Sequence, residues 1–313
     1  MATLTVLTKE LVARIISNYP VGDVRAFHPL DGGLANSSMR VLTDTGTYVL
    51  SVCDEKNFDD IGMLCSILSY LEEKQFPTTR VIAAKSGAPC LEHDGKPVYL
   101  KRYIEGEVVN PLNPEQAGEV GTALARLHAI VPHASLPNRF SYGVETFAEL
   151  EEQAADHDFF SWLFQQRPQI LDACPDTLPR GFLHGDLFYD NMLFADGSLK
   201  AVLDFEEACA YYFVFDIGMT AIGCCVVDGR LSLELTAAMV AGYQQERTLE
   251  PVERTLLQRH VGYSAAATAF WRYRQYNVRN PDPAMKDHYR PMYDLARQVL
   301  GIDAGVFVKA VLA

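Results

Sequence analysis

The sequence predicts an α+β chain, with a small antiparallel β-rich N-terminal part and a larger, mainly helical C-terminal part. Three features carry that expectation. Short β-rich runs around Phe27, 39–42 and 47–53 are separated by Asp31-Gly32-Gly33 and Asp44-Thr45-Gly46, the pattern of strands joined by turns. Further on, 231–246, 251–279 and 287–300 carry apolar residues at helical spacing, with prolines near their ends. Between these regions, two apolar runs flank Ala195-Asp196-Gly197-Ser198, the signature of a tight hairpin.

Taken in order, residues 8–18 read as a helix with Thr8 as its cap and Leu11, Val12, Ile15 and Ile16 on one face. An apolar helix over 59–75 should end at Phe76-Pro77, because proline cannot continue it. Val98-Tyr99-Leu100 reads as a strand running into Lys101-Arg102-Tyr103-Ile104. A helix from Pro114 reaches Leu127-His128, with His128 as a packed or capping side chain, and 132–180 mixes one long helical segment with proline-bounded loops. The apolar stretch 213–227 is interrupted by Asp216 and is too short to span a bilayer, so it reads as a buried helix. The division is expected at 1–103 and 104–313.

At 313 residues, 49% apolar and 21% charged, the chain is long enough for a full core in one two-lobed domain or in two domains. A net charge of −13 argues against a nucleic-acid or anionic-membrane partner, both of which need a basic face. The seven cysteines, at 53, 65, 90, 174, 209, 224 and 225, are odd in number and form no C-x-x-C pair. That pattern fits neither a disulfide framework nor a zinc site, and a reducing cytoplasm is the expected location. MATLTVLTKELVAR lacks the basic and apolar regions of a signal peptide.

The chemistry is concentrated in FLHGDLFYDNMLFADGSLKAVLDFEE, residues 182–207. His184-Gly185-Asp186 followed by Asn191 reproduces the H-x-D-x-x-x-x-N spacing of a kinase catalytic loop, in which the Asp faces the substrate hydroxyl and the Asn ligates metal. Asp204 stands where a second metal-binding acid is needed. A hairpin closed on Asp196-Gly197 would set Asn191 opposite Val202 and diagonal to Asp204, a gap of roughly 7–8 Å that Mg²⁺ and two oxygen ligands can fill. Singly, Asp186 could be a turn residue, Asn191 a helix cap and Asp204 a solvated strand end. Jointly they point to phosphoryl transfer, where positioning and metal-held phosphates do most of the catalysis. His184 is read as propping the loop.

The strings HGDLFYDNMLF, VLDFEEAC and Phe215-Asp216-Ile217-Gly218 resemble the choline kinase/aminoglycoside phosphotransferase family, and within it the homoserine kinases of that fold. The resemblance implies a bilobal protein-kinase-like fold, ATP and Mg²⁺ as cofactors, Asp186 as catalytic base, Asn191 and Asp204 as metal ligands, and Asp216 as a brace for the catalytic loop. It also raises Gly33, Asn36 and Ser37 as nucleotide contacts, although the turn alone, which is not G-x-G-x-x-G, reads first as an ordinary hairpin turn. By fold analogy, Arg102, Tyr103 and Ile104 would meet adenine.

Two departures qualify the likeness. Many relatives carry a strand lysine that grips the phosphates, where this chain has Ser51, and the helix after it has no acid within 61–71. Glu206-Glu207 replaces a Tyr-Phe or Tyr-Asn pair and could bind a cationic acceptor, assist Mg²⁺ or face solvent. An F-W-x-x-R-like element matches Phe270, Trp271 and Arg274; it reads either as an acceptor-pocket wall in which Arg274 pairs a carboxylate, or as a buried aromatic helix with solvated arginines. No A-P-E motif or long activation segment follows Asp204, so a small-molecule alcohol is the expected acceptor rather than a protein. L-homoserine comes first, then choline, a sugar or an aminoglycoside. A catalytically silent nucleotide-binding protein is the reading from another class.

Overall fold

The computed structural model describes residues 5–30, 36–150 and 158–312. Contacts divide the chain into two compact units, Met1–Gly106 with Ala201–Leu203, and Glu107–Lys200 with Asp204–Ala313.

The first unit opens with helix α1 (Lys9–Ile16), whose N-terminus is capped by Thr8. Strands β1 (Val24–Pro29), β2 (Asn36–Thr43) and β3 (Thr47–Cys53) follow, then helix α2 (Phe58–Glu73) and strands β4 (Val81–Ile82), β5 (Leu91–His93) and β6 (Lys96–Arg102). All pairings are antiparallel, in the order β1-β2-β3-β6-β4, with β5 also on β6. Alternation gives the sheet two unlike faces. Leu50, Val52, Val98 and Leu100 pack in one core with Val12, Ile15 and Ile16 of α1. The opposite face carries Ser38 paired with Ser51, and Val49 paired with Lys101.

Helix α2 stops sooner than its proline suggests. Asn57 and Asp60 form a capping box at its start. At its end Gln75 is left-handed (φ 58°), and the amides of Gln75 and Phe76 return to the carbonyls of Glu72 and Leu71, both at 2.9 Å. This closure satisfies the last carbonyls before Pro77 is reached.

The second unit is helical around small strands. It contains α3 (Pro114–His128), α4 (Asp158–Asp172), β7 (Arg180–Leu183) and β8 (Met192–Ala195). Next come β9 (Ser198–Val202), which crosses into the first unit at its end, β10 (Cys209–Tyr212), α5 (Phe213–Cys224), β11 (Val226–Val227) and β12 (Arg230–Leu231). Helices α6 (Leu233–Glu246), α7 (Pro251–Tyr273), α8 (Arg290–Leu300) and α9 (Ala304–Val311) complete it. Asp196 and Gly197 turn β8 into β9 with φ of 53° and 80°, the two left-handed residues that a type I′ hairpin requires. Helix α5 is buried along its whole length. The periodicity over 251–279 resolves into α7 followed by a π-helical turn at Arg274–Arg279.

Helices α3 and α6 cross at glycines. A Cβ on Gly121 would lie 1.9 Å from the Met239 carbonyl oxygen, and one on Gly242 would lie 2.0 Å from that of Gly118. Thr122 donates across the contact to the Gly242 carbonyl at 3.1 Å. The crossing fixes His128 at the end of α3 and Tyr243 on α6, whose side chains are hydrogen-bonded. Gly→Ala in a helix ordinarily stabilises by about 1 kcal/mol. Here Gly121→Ala or Gly242→Ala is expected to destabilise by about 2–3 kcal/mol, because backbone must move to admit the methyl group. The urea midpoint checks this, and an unchanged or higher midpoint would show that the helices can separate at little cost.

Candidate active site

Strand β7 delivers the catalytic-loop residues, and its partner β10 sets what lies beside them. Leu183 pairs with Cys209 and Phe182 with Ala210, so the loop leaving β7 runs against the segment entering β10. Gly185 is left-handed at φ 83°, and a Cβ there would fall 2.5 Å from the Glu207 carbonyl oxygen. That close approach places Asp186 beside Glu207. The β7–β10 pairing therefore supplies much of the juxtaposition expected of the β8–β9 hairpin. The hairpin ladder reaches neither predicted ligand: Asn191 closes a 3₁₀ turn (Tyr189–Asn191) before β8, and Asp204 lies beyond β9.

The loop is braced from below by Asp216, which is fully buried on α5. Its Oδ2 accepts the His184 amide at 2.8 Å and its Oδ1 the Gly185 amide at 2.9 Å. His128 Nε2 contacts the same carboxylate at 3.1 Å, and its Nδ1 lies 2.7 Å from the Tyr243 hydroxyl. Burial pushes the His128 pKa down, so a neutral ring donates from Nε2 and accepts at Nδ1. Tyr243 in turn accepts from Arg247, which is forked onto Glu253 at 2.9 and 3.0 Å. His184 is also buried; its Nδ1 accepts the Asp186 amide at 3.2 Å and its ring lies 4.7 Å from that of Phe205.

Electrostatically, Asp186 is the extreme carboxyl of the site. Burial, then the charges of Asp204, Glu207 and Asp190, push its pKa up to about 8, with Arg272 opposing them. The Tyr142 hydroxyl lies 3.5 Å from Asp186 Oδ1, and burial keeps that phenol protonated. Asn191 spends its Nδ2 on the Asp186 carbonyl oxygen at 2.8 Å, which leaves Oδ1 as the atom able to ligate a cation. Asp204 is exposed and left-handed (φ 61°), a conformation uncommon outside glycine and characteristic of functional turns. Its Oδ1 lies 3.4 Å from the Glu206 amide, and Glu207 bonds the Ser141 hydroxyl. Among the described residues no three His, Cys, Asp or Glu side chains form a ready-made metal cluster. One Asn and one Asp suit Mg²⁺ that takes its remaining oxygens from phosphates and water.

Arg274 and Arg272 differ from the sequence reading. Arg274 is buried, and its Nη1 pairs with Glu149 Oε2 at 2.9 Å, so a carboxylate of this chain already holds the guanidinium assigned to an acceptor. The cation whose charge acts on Asp186 is Arg272, two residues earlier. Trp271 lies 6.1 Å from the Tyr142 ring and 6.2 Å from that of Tyr276. Tyr142, Arg272 and Glu149 are the residues that sequence reasoning missed. The only signal was the second arginine of the aromatic cluster.

The nucleotide candidates are partly engaged. Gly33 lies outside the described residues, as does the side chain of Asn36. Ser37 is tied by its amide and hydroxyl to Asp54 at 3.1 and 2.7 Å, so the hydroxyl expected at ATP closes the strand end instead. Ser51 is buried with its hydroxyl 2.9 Å from that of Ser38. Arg102 donates its amide to Arg80 and accepts from Thr79, and the Tyr103 amide donates to Thr47, all within the first unit; Ile104 follows them.

The sequence profile of the phosphotransferase enzyme family matches residues 26–254. A homoserine kinase of Caulobacter sp. (strain K31) is 28% identical over 263 residues, spanning 81% of this chain and 82% of that protein. One from Gluconacetobacter diazotrophicus is 28% identical over 309 residues, 95% of each. Among solved structures, an amicoumacin kinase in complex with AMP-PNP, Ca²⁺ and Ami superposes with a TM-score of 0.72 at 13% identity, covering 96% of this chain and 97% of the other. A microcompartment-associated aminopropanol kinase does so with a TM-score of 0.69 at 16% identity, covering 94% and 98%. These likenesses bear out the protein-kinase-like fold. The chain belongs to the phosphotransferase enzyme family and is a small-molecule kinase.

Proposed function

We propose that the chain transfers the γ-phosphoryl group of ATP to the hydroxyl of L-homoserine in a Mg²⁺-dependent reaction. The observation that carries the reading is Asp186, held by the Asp216-braced loop beside Asp204 and close to Asn191. Homology to homoserine kinases supports the acceptor.

In this mechanism Asn191 Oδ1 and the Asp204 carboxylate would hold Mg²⁺. When bound, the ion neutralises charge on the transferring phosphoryl group. The Asp186 carboxylate orients the acceptor hydroxyl and takes its proton. The crowding of Asp186, Asp204, Glu207 and Asp190 fits a site completed by a cation, since a divalent ion would relieve the repulsion that raises Asp186. For the nucleotide, the reading leans on the second sheet face, where Lys101 Nζ reaches the Tyr99 hydroxyl at 3.2 Å and Tyr99 pairs with Ser51. Lys101 therefore offers a cation on the face that lacks the usual strand lysine. Glu206 and Glu207 favour a second reading, a cationic alcohol such as choline or an aminoglycoside, because both acids stand near Asp204. The cysteines show no disulfide among the described residues, in keeping with a cytoplasmic enzyme.

ADP release with Mg-ATP should rise with L-homoserine and stay low with choline, amino sugars and aminoglycosides. Asp186→Asn should cut kcat by about 10²–10⁴-fold while changing nucleotide affinity little. Turnover confined to a cationic alcohol would move the acceptor assignment. Nucleotide binding with no acceptor-dependent turnover would favour the silent protein.

The same substitution should stabilise the metal-free protein. A carboxyl whose pKa rises to about 8 on folding binds its proton more tightly in the native state, so the native state loses stability as pH climbs from about 4 through 8. Asp186→Asn removes that loss. The variant is expected to melt above the wild type at pH 8, with a smaller gap at pH 5, and Mg²⁺ should narrow the gap at pH 8. An equal gap at both pH values would place the Asp186 proton elsewhere.

A further inference from the structure

We propose that Arg272 is the specificity residue of the acceptor site, and that it selects alcohols bearing a carboxylate. The inference rests on the homoserine reading above and identifies the group that would recognise the acid end of the acceptor.

Helix α7 carries Arg272 from a buried stretch, Ala265–Phe270, to the neighbourhood of Asp186, Tyr142, Tyr276 and Asp190, with which its charge interacts. The residue is half-buried, and partial burial lowers its pKa. A guanidinium presents five N–H donors in a planar fork that matches a carboxylate. Arg274 is paired with Glu149 and Arg247 with Glu253, while half-buried Arg254 is met by Gln244 and the Leu312 carbonyl. Arg272 has no carboxylate within ion-pair distance among the described residues. Its one hydrogen bond is a long contact of 3.5 Å to the His288 carbonyl. A planar fork of donors beside the proton-accepting carboxyl is suited to a second carboxylate that arrives with the substrate.

Two anions could meet this fork, the acceptor carboxylate and the transferring phosphoryl group. The surroundings favour the first. Tyr142, Trp271 and Tyr276 stand about Arg272 as aromatic walls suited to a small organic molecule. The acids that act most on Arg272 are Asp186 and Asp190, and the metal-ligand candidate Asp204 is not among its leading charges. An arginine acting on the phosphoryl group would serve every acceptor alike, whereas one acting on the carboxylate discriminates among them.

The test compares L-homoserine with 3-aminopropan-1-ol, which keeps the hydroxyl and ammonium at the same spacing and lacks the carboxylate. Wild type, Arg272→Met and Arg272→Lys are assayed for kcat and KM on both, with Mg-ATP affinity measured as a check on folding. The expected result is a wild-type preference for homoserine that falls by about 100-fold in Arg272→Met, mostly through a raised homoserine KM, with Mg-ATP affinity retained. Arg272→Lys should fall in between, because a point charge cannot make the forked contact. An equal loss of kcat on both acceptors would assign Arg272 to the phosphoryl group and overturn the proposal. Retention of the wild-type preference by Arg272→Met would do so too, while leaving homoserine as the acceptor. A wild-type preference for 3-aminopropan-1-ol would instead remove the homoserine reading, and this inference with it. If Arg272→Met fails to bind Mg-ATP, the lysine variant decides on the same criteria.

Discussion

A carboxylate with no access to water has to be met by donors, and the Asp216 carboxylate meets three: the amides of His184 and Gly185 and the ring of His128. That requirement ties the catalytic loop to the centre of the helical unit. Helix α5 supplies the acid, the loop leaving β7 the two amides, α3 the histidine and α6 the tyrosine that orients it. The chain of contacts ends in the Arg247–Glu253 fork, so the orientation of the loop depends on groups well removed from it. The glycine crossing of α3 and α6 belongs to the same device, since it fixes the spacing of His128 and Tyr243.

Around that well-bonded support the site itself is crowded with acids. After burial, the charges of Asp204, Glu207 and Asp190 push the Asp186 pKa up, and Arg272 opposes them. Such crowding of acids is poor for stability and is the kind of arrangement found where a site is built for binding. The left-handed backbone at Asp204 and the close approach at Gly185 have the same character, local costs borne where the acids must converge.

Local signals were legible in the sequence. Asp196-Gly197 specified the hairpin, Thr8 the start of α1, and the spacing from His184 to Asn191 marked the loop that Asp216 braces. These depend on neighbours a few residues apart. What could not be read were partnerships across long separations: His128 with Asp216 is 88 residues apart and Arg274 with Glu149 is 125. Apolar periodicity says that α7 is buried on one side, but it cannot say which of two arginines at its end turns toward Asp186. Strand β9 shows another limit, since its end joins a different unit from its start, and no local pattern marks that division.

The aromatic cluster sits where the helix changes its bonding. Continuous α-helical phasing over 251–279 would group Trp271 with Arg274 on one face, as the three-residue spacing suggests. Bonding changes at Arg274, where α7 gives way to a six-residue π-helix. A π turn inserts residues without extending the helix in proportion, and such turns recur at functional sites because they re-aim side chains. Arg274 enters the π segment and is drawn to Glu149, while Arg272 remains on the last α-helical turn among Tyr142, Asp186 and Tyr276. The two arginines lie two residues apart, about 200° around an α-helix, so the one that meets Glu149 and the other stand on opposite sides of it.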